Sequence, residues 1–283
     1  MIITLLTFFL FQSDSIQTVI VESSAQLFRG AFSISAAADG RLFVIDQSTN
    51  TLNEISKDNT VAKTIGGKGW GNEEFDLPTD VASSFLLNIF VVDANNRRVQ
   101  RYDKQLNYAQ SYDEQVLAKL SGRFQPISAA TSIQGELFIL EKDGKRVIVI
   151  DQRGIYHREI GTFNETGGKL IDPKDIDISS ANEVCVLDRH SVKIYDSFGN
   201  YLRIIALSPQ EAWKTISISG TSMIVTSSSR IEIISINTGK RITILPGSIM
   251  GAQVTETFSD AVVQDSTLII LTPTTLYRCS FPE

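Results

Sequence analysis

Apolar positions along the chain come in short blocks of five or six, separated by polar turns, and the blocks repeat. Six of them align without gaps: RLFVID (41–46), NIFVVD (88–93), ELFILE (136–141), EVCVLD (183–188), SMIVTS (222–227) and TLIILT (267–272). Their last residues, Asp46, Asp93, Glu141, Asp188, Ser227 and Thr272, are separated by 47, 48, 47, 39 and 45 positions. A period near 45 is too long for two-helix repeats and fits a propeller blade of four strands. After each block and a short polar turn a second apolar segment follows, starting at Leu52, Val99, Val147, Val192, Ile231 and Leu276. A third comes in YHREIG, YLRIIAL and RITILPG, and Asp39-Gly40 is a strong hairpin signal. Helical periodicity is confined to one window, Glu114 to Leu120, read as a single surface helix. The pattern predicts an all-β, six-bladed β-propeller with four-stranded blades. In the sixth repeat only Pro282 and Glu283 follow LYRCSF, so its outer strand is missing there. The alternating segment Ile16 to Glu22 is a spare strand, predicted to close the ring by completing the blade that holds Leu268 to Phe281.

The first eleven residues, MIITLLTFFLF, form an unbroken apolar run followed by Gln12-Ser13-Asp14-Ser15. A helix needs roughly 20 residues to cross a bilayer, whereas a run of this length before small residues suits a secretory signal peptide. No Lys or Arg precedes the run, and a buried first strand is the plainer alternative. The division expected is a signal peptide over 1–15 and the propeller over 16–283, giving a mature protein without a transmembrane segment, periplasmic or secreted, and monomeric.

From Gly66-Gly-Lys-Gly-Trp-Gly-Asn-Glu-Glu-Phe-Asp-Leu-Pro-Thr-Asp-Val-Ala82 to IFVVDANNRRVQRYD the chain resembles an NHL repeat of the six-bladed propeller superfamily. Repeats one, three and four match in part, through Phe163, Asp172-Pro173-Lys-Asp175-Ile and Val186-Leu-Asp188, while five and six lack the Asp, Asn and Arg of the pattern. The resemblance covers Phe28 to Phe281 and implies the propeller fold. The function it implies is open, because the superfamily includes protein-binding scaffolds, RNA-binding domains, receptor ectodomains, lyases and lactonases.

Composition narrows the chemistry. Thirty-two acidic against 26 basic residues leave a formal charge of -6, which argues against nucleic acid as partner, since that affinity rests on Lys and Arg neutralising phosphates. Two histidines and two cysteines cannot readily build a His/Cys zinc site or a disulfide framework. Cys185 and Cys279 fall two blades apart, too far to bridge, and are expected as buried thiols. The Gly66 to Phe75 loop lacks Gly-Lys-Ser/Thr and is expected to connect two blades, with Phe75 packed between them; Trp70 at its tip is a ligand-contact candidate or a half-buried packing residue. Asp93 with Asn95, Asn96, Arg97 and Arg98 reads as a structural turn, since Asp46, Glu141 and Asp188 hold the same position in other repeats.

The starts of the first strands are more distinctive. Aligned on Pro78, Pro126 and Pro173, the second residues after each are Asp80, Ser128 and Asp175, with Ser33, Thr215 and Asp260 at the matching positions elsewhere. Around a ring the order is Ser, Asp, Ser, Asp, Thr, Asp. Innermost strand starts lie near the channel mouth, so Asp80, Asp175 and Asp260 can converge there, as ligands of a metal such as calcium or of a cationic group. The plainer reading is that each Asp hydrogen-bonds the backbone of a neighbouring blade. Asp177, one pleat along, is expected between blades. His157 is expected on the outer surface. His190, on the turn after a motif strand, is the one general-base candidate, and superfamily lyases pair a histidine base with a metal. The function expected is a non-catalytic ligand- or protein-binding platform on one face of the disc, with a metal-assisted lyase or lactonase at the channel mouth as the alternative.

Overall fold

The computed structural model describes residues 15–84, 88–115, 123–162 and 167–282. The expected leader (apart from Ser15), Phe163 and the expected helix beyond Gln115 lie outside the described residues. Six sheets form the blades of a propeller, blades 1 to 5 each built on four consecutive antiparallel strands and blade 6 on three. Blade 1 runs Ala31–Ala36, Leu42–Asp46, Thr51–Ile55 and Val61–Gly66, and blades 2 to 4 repeat this from Pro78–Ser83, Pro126–Thr131 and Pro173–Ile178. Blade 5 begins at Trp213–Ser219 and blade 6 at Asp260–Gln264. The first strand of every blade contacts the first strands of both neighbours, which closes the ring around a central channel.

The six aligned apolar blocks are the second strands. In blades 1 to 4, Leu42–Asp46, Ile89–Asp93, Leu137–Glu141 and Val184–Asp188 are buried at every position. A second strand is packed on both faces by the adjacent blades, so it reads as a continuous apolar run rather than an alternating one. The core is accordingly divided into six clusters, one between each pair of adjacent blades. Each fully buried Val, Leu or Ile contributes roughly 1.5–3 kcal/mol.

Blade 6 is completed by the N-terminal strand Val19–Gln26, which pairs antiparallel with Thr275–Ser280 from Ile20 opposite Ser280 to Gln26 opposite Thr275. The closing strand therefore sits three to four residues later than Ile16 to Glu22. Its forerunner Ser15–Ile16 belongs to blade 5, where it lies parallel to Ile242 and Thr243. Crossing from one blade to the next, the N-terminal segment ties both together. A two-residue strand, Ile249–Met250, adds in parallel to the outer side of Val19–Ile20. Among the described residues no helix is long and apolar enough to cross a membrane.

Candidate functional site

The site is built by an irregularity shared by the first strands. In blades 1 to 5 the pairing with the second strand slips by one residue just after the strand begins, between Ala31 and Ser33, Pro78 and Asp80, Pro126 and Ser128, Pro173 and Asp175, and Trp213 and Thr215. Such a bulge sets two residues opposite one and re-aims their side chains. Two consecutive residues per blade thus reach the axis. The first of each pair, Phe32, Thr79, Ile127, Lys174 and Lys214, lines the channel mouth, and the second forms a ring just below it.

That ring is the alternating set Ser33, Asp80, Ser128, Asp175, Thr215 and Asp260. Each carboxylate links three blades. Asp80 of blade 2 accepts the Ser33 hydroxyl of blade 1 at 2.7 Å and the Ala129 N–H of blade 3 at 2.8 Å. Asp175 of blade 4 accepts the Ser128 hydroxyl at 2.5 Å and the Ile216 N–H of blade 5 at 2.7 Å. Asp260 of blade 6 accepts the Ile34 N–H of blade 1 at 3.0 Å, and the Thr215 hydroxyl of blade 5 faces it. Each also accepts the N–H of the residue that follows it, at 2.8 Å. The six positions form a pseudo-threefold belt with an Asp on every second blade, in which Asp80 and Asp175 are clasped by both neighbours and Asp260 is held by blade 1 and faced by Thr215 of blade 5. Asp177 repeats the link one layer deeper, accepting the N–H groups of Ile178 at 2.7 Å and Ile218 at 2.6 Å.

Burial pushes all four carboxyls above the usual range, to about 7 for Asp177 and Asp260. For Asp80 burial is likewise the main cause. For Asp175 burial comes first and the negative charges of Asp80 and Asp260 add to it, so these three do sense one another across the channel. Three hydrogen-bond donors on a carboxylate occupy much of its lone-pair capacity. Among the described residues no group of three or more His, Cys, Asp or Glu side chains is arranged to hold a metal ion.

Above the ring the mouth opens into a cavity of about 380 Å³, lined by Phe32, Ile127, Lys142, Lys174, Lys214 and Ser259 among others. Three ammonium groups above an acidic belt are a feature the sequence reasoning missed. Lys174 and Lys214 immediately precede the ring residues Asp175 and Thr215, and Lys142 immediately follows Glu141. Lys174 pairs with Asp172 at 2.9 Å. Lys174, Arg189 and Lys142 together hold the Asp172 carboxyl below its ordinary range. Lys214 reaches toward the Phe258 carbonyl at 3.4 Å, and desolvation in the mouth lowers its pKa. Below the ring the channel continues as a cavity of about 240 Å³ lined by Ser35, Ser83, Thr131, Asp177 and Ile178 among others.

The remaining candidates lie elsewhere. Trp70 is 74% exposed, rather than half-buried, on the loop joining blades 1 and 2, and is not among the residues lining the mouth. The loop beneath it is shaped by Arg98, which donates to the Trp70, Gly71 and Glu74 carbonyls, and Phe75 is fully buried between the blades. His190 is half-buried on its turn with Nδ1 lacking a hydrogen-bond partner, and it too is absent from the lining of the mouth. His157 lies on the outer strand beside Glu136. Both cysteines are buried free thiols, and burial pushes Cys279 up to about 12.

The carboxylates that end the second strands are architectural. Asp46, Asp93, Glu141 and Asp188 accept the backbone N–H groups of Arg29, Asp76, Gln125 and Ile171, each on the loop that enters the blade. A cation from the third strand pairs with three of them: Arg98 with Asp93 at 2.8 Å, Arg146 with Glu141 at 3.3 Å and Lys193 with Asp188 at 2.7 Å. In blades 5 and 6 the roles are exchanged. The strand ends in a hydroxyl, and the entering loop supplies the acid: Ser227 donates to Glu211 at 2.8 Å and Thr272 to Glu256 at 2.5 Å.

Solved structures with the same architecture are distant in sequence. A catalytically inactive variant of virginiamycin B lyase from Staphylococcus aureus, with quinupristin, is 12% identical over 89% of this chain and 80% of its own, with a TM-score of 0.62. Hydrazine synthase from Kuenenia stuttgartiensis is 14% identical over 86% of this chain and 74% of its own, at 0.60. A protein of unknown function from Bacteroides caccae is 13% identical over 82% of each chain, at 0.59. No protein-family model matches the sequence, and no curated protein aligns with it significantly. At these identities the likeness is one of fold, the six-bladed propeller.

Proposed function

We propose that this chain is a non-catalytic, NHL-like binding propeller whose ligand site is the channel mouth on the side where the innermost strands begin. The observation that carries the reading is the cavity of about 380 Å³ in which bulges on successive blades gather charged, hydroxyl and apolar side chains around one axis. Small-molecule sites are concave, largely preformed and commonly about 300–1,000 Å³. The belt of interblade hydrogen bonds beneath fixes the geometry without spending a mobile loop on it. His190 stands away from that cavity, which favours binding over a lyase or lactonase reaction. The NHL-like assignment is supported by the second-strand carboxylates and their Arg or Lys partners in blades 2 to 4. Export is supported by the apolar run Met1 to Phe11 and the small residues after it. Protein recovered from its native host should begin between Ser13 and Ile16 on N-terminal sequencing, and an intact Met1 on a cytoplasmic species would end that part of the reading.

The mouth is tested by filling it. Thr79→Trp places an indole at the rim, where Thr79 Oγ1 donates to the Ile127 carbonyl at 2.9 Å. Native mass spectrometry of the full chain from its host should show a small bound molecule that Thr79→Trp loses and Trp70→Ala retains. The reverse pattern would move the site to the exposed Trp70 loop.

A further inference from the structure

The mouth is not symmetric, and its asymmetry speaks to what it holds. Going round the ring, the three lysines occupy a contiguous arc, Lys142 on blade 3, Lys174 on blade 4 and Lys214 on blade 5. The opposite arc carries Ser259 of blade 6, Phe32 of blade 1 and Thr79 of blade 2, all uncharged. Phe32 is a large apolar side chain left 41% exposed at the rim. Asp172 engages Lys174, whereas among the described residues neither Lys142 nor Lys214 has a carboxylate in ion-pair contact. Among the described residues no belt carboxylate is in ion-pair contact with either lysine, and Asp80 and Asp175 are turned to hydroxyl and backbone donors of both neighbouring blades. Partial desolvation of Lys214 makes its ammonium gain more from an anion than an ammonium in open water does.

Resting on the reading of the mouth as a ligand site, we propose that its ligand is a small amphiphilic organic anion, with the anionic headgroup on the lysine arc and the apolar body against Phe32. Carboxylate and phosphate headgroups share this chemistry, since lysine recognises both as a point charge. The hydroxyls of Thr79 and Ser259 flank the apolar side, Asp80 and Asp175 lie at the floor, and among the described residues of the mouth the lysine arc is the cationic element that orients an anion.

Isothermal titration of the full chain with octanoate, octyl phosphate and octylamine tests this, with acetate as the probe lacking a tail. Octanoate or octyl phosphate should bind, more weakly as salt is added, and the tighter of the two identifies the headgroup. Octylamine and acetate should bind far more weakly. The double variant Lys142→Gln/Lys214→Gln changes two exposed side chains and should keep its melting temperature while losing about tenfold or more in affinity for the anion. Phe32→Ala should weaken octanoate and leave the acetate signal unchanged. Octylamine binding as tightly as octanoate, an unchanged affinity in the lysine double variant, or no binding of either amphiphilic anion would overturn the proposal. In the first two cases, loss of binding in Thr79→Trp would leave the mouth standing as a ligand site. Binding that survives Thr79→Trp would remove both readings together.

Discussion

Asp260 illustrates what a single residue of the belt does for stability. Its carboxyl is pushed up to about 7 by burial, and Asp177 one layer deeper behaves alike, whereas in an unfolded chain such groups titrate near about 4. Between those values the native state holds protons that the unfolded state has released. Stability therefore falls as pH rises through this window, and the loss is complete above about pH 7. By calorimetry the melting temperature should be lower at about pH 8 than at about pH 5, with the difference per carboxyl on the order of 2–4 kcal/mol. Asp260→Asn should lower stability at about pH 5 by roughly 1–3 kcal/mol, because an amide has one acceptor oxygen where Asp260 uses two, for the N–H groups of Ile34 and Ala261. The same variant should flatten the slope from pH 5 to 8, and an unchanged slope would remove Asp260 from the account. The positions of Asp80, Asp175 and Asp260 were legible in the sequence because the prolines at 78, 126 and 173 set the repeats in register. That Lys174 and Lys214 point to the same axis was not legible. A regular strand sends neighbouring residues to opposite faces, and only the bulge brings both round.

At the level of the element, the second strands were the most readable part of the chain, for a physical reason. Packed on both faces, they tolerate almost no polar residue along their length, so Leu42–Asp46 and its counterparts stand out as unbroken apolar blocks. Their terminal clasp was readable only in four blades. Repeats five and six look degenerate because Ser227 and Thr272 replace the acid, yet the hydrogen bond across the loop persists with the carboxylate moved to Glu211 and Glu256. A search for one residue type at one position misses such an exchange. The signal that reveals it is a glutamate placed sixteen positions ahead of the terminal hydroxyl in both blades. Ser227→Asp should set two carboxylates against each other and destabilise the fold by about 1–3 kcal/mol in urea titration. Adding Glu211→Ser to that variant should restore most of the loss. Independent, additive effects of the two substitutions would show that the pair is not a clasp.

At the scale of the whole molecule, the ring is held by one seam, the pairing of Val19–Gln26 with Thr275–Ser280. Deleting residues 15–26 should expose the edge of blade 6 and the apolar faces of blades 5 and 6, where Val19 is fully buried. The truncated chain is expected to aggregate or to melt with lost cooperativity, and retention of the full-length melting curve would show that the seam is dispensable. A spare alternating segment at one end and an incomplete repeat at the other made this closure legible. Its register was not, because Ile16 and Ile20 both suit a strand and only the crossing from blade 5 to blade 6 separates them. The seam also sets an order of events during synthesis. The partner of Ile20 is Ser280, so Val19–Gln26 waits unpaired until the chain as far as Ser280 has emerged from the ribosome. Blades 1 to 4 are each contiguous and can form on the nascent chain, but the circle cannot shut before Thr275–Ser280 has emerged. A nascent polypeptide stalled short of Thr275 should therefore keep Val19–Gln26 open to protease, and protection should appear only when Thr275–Ser280 is free.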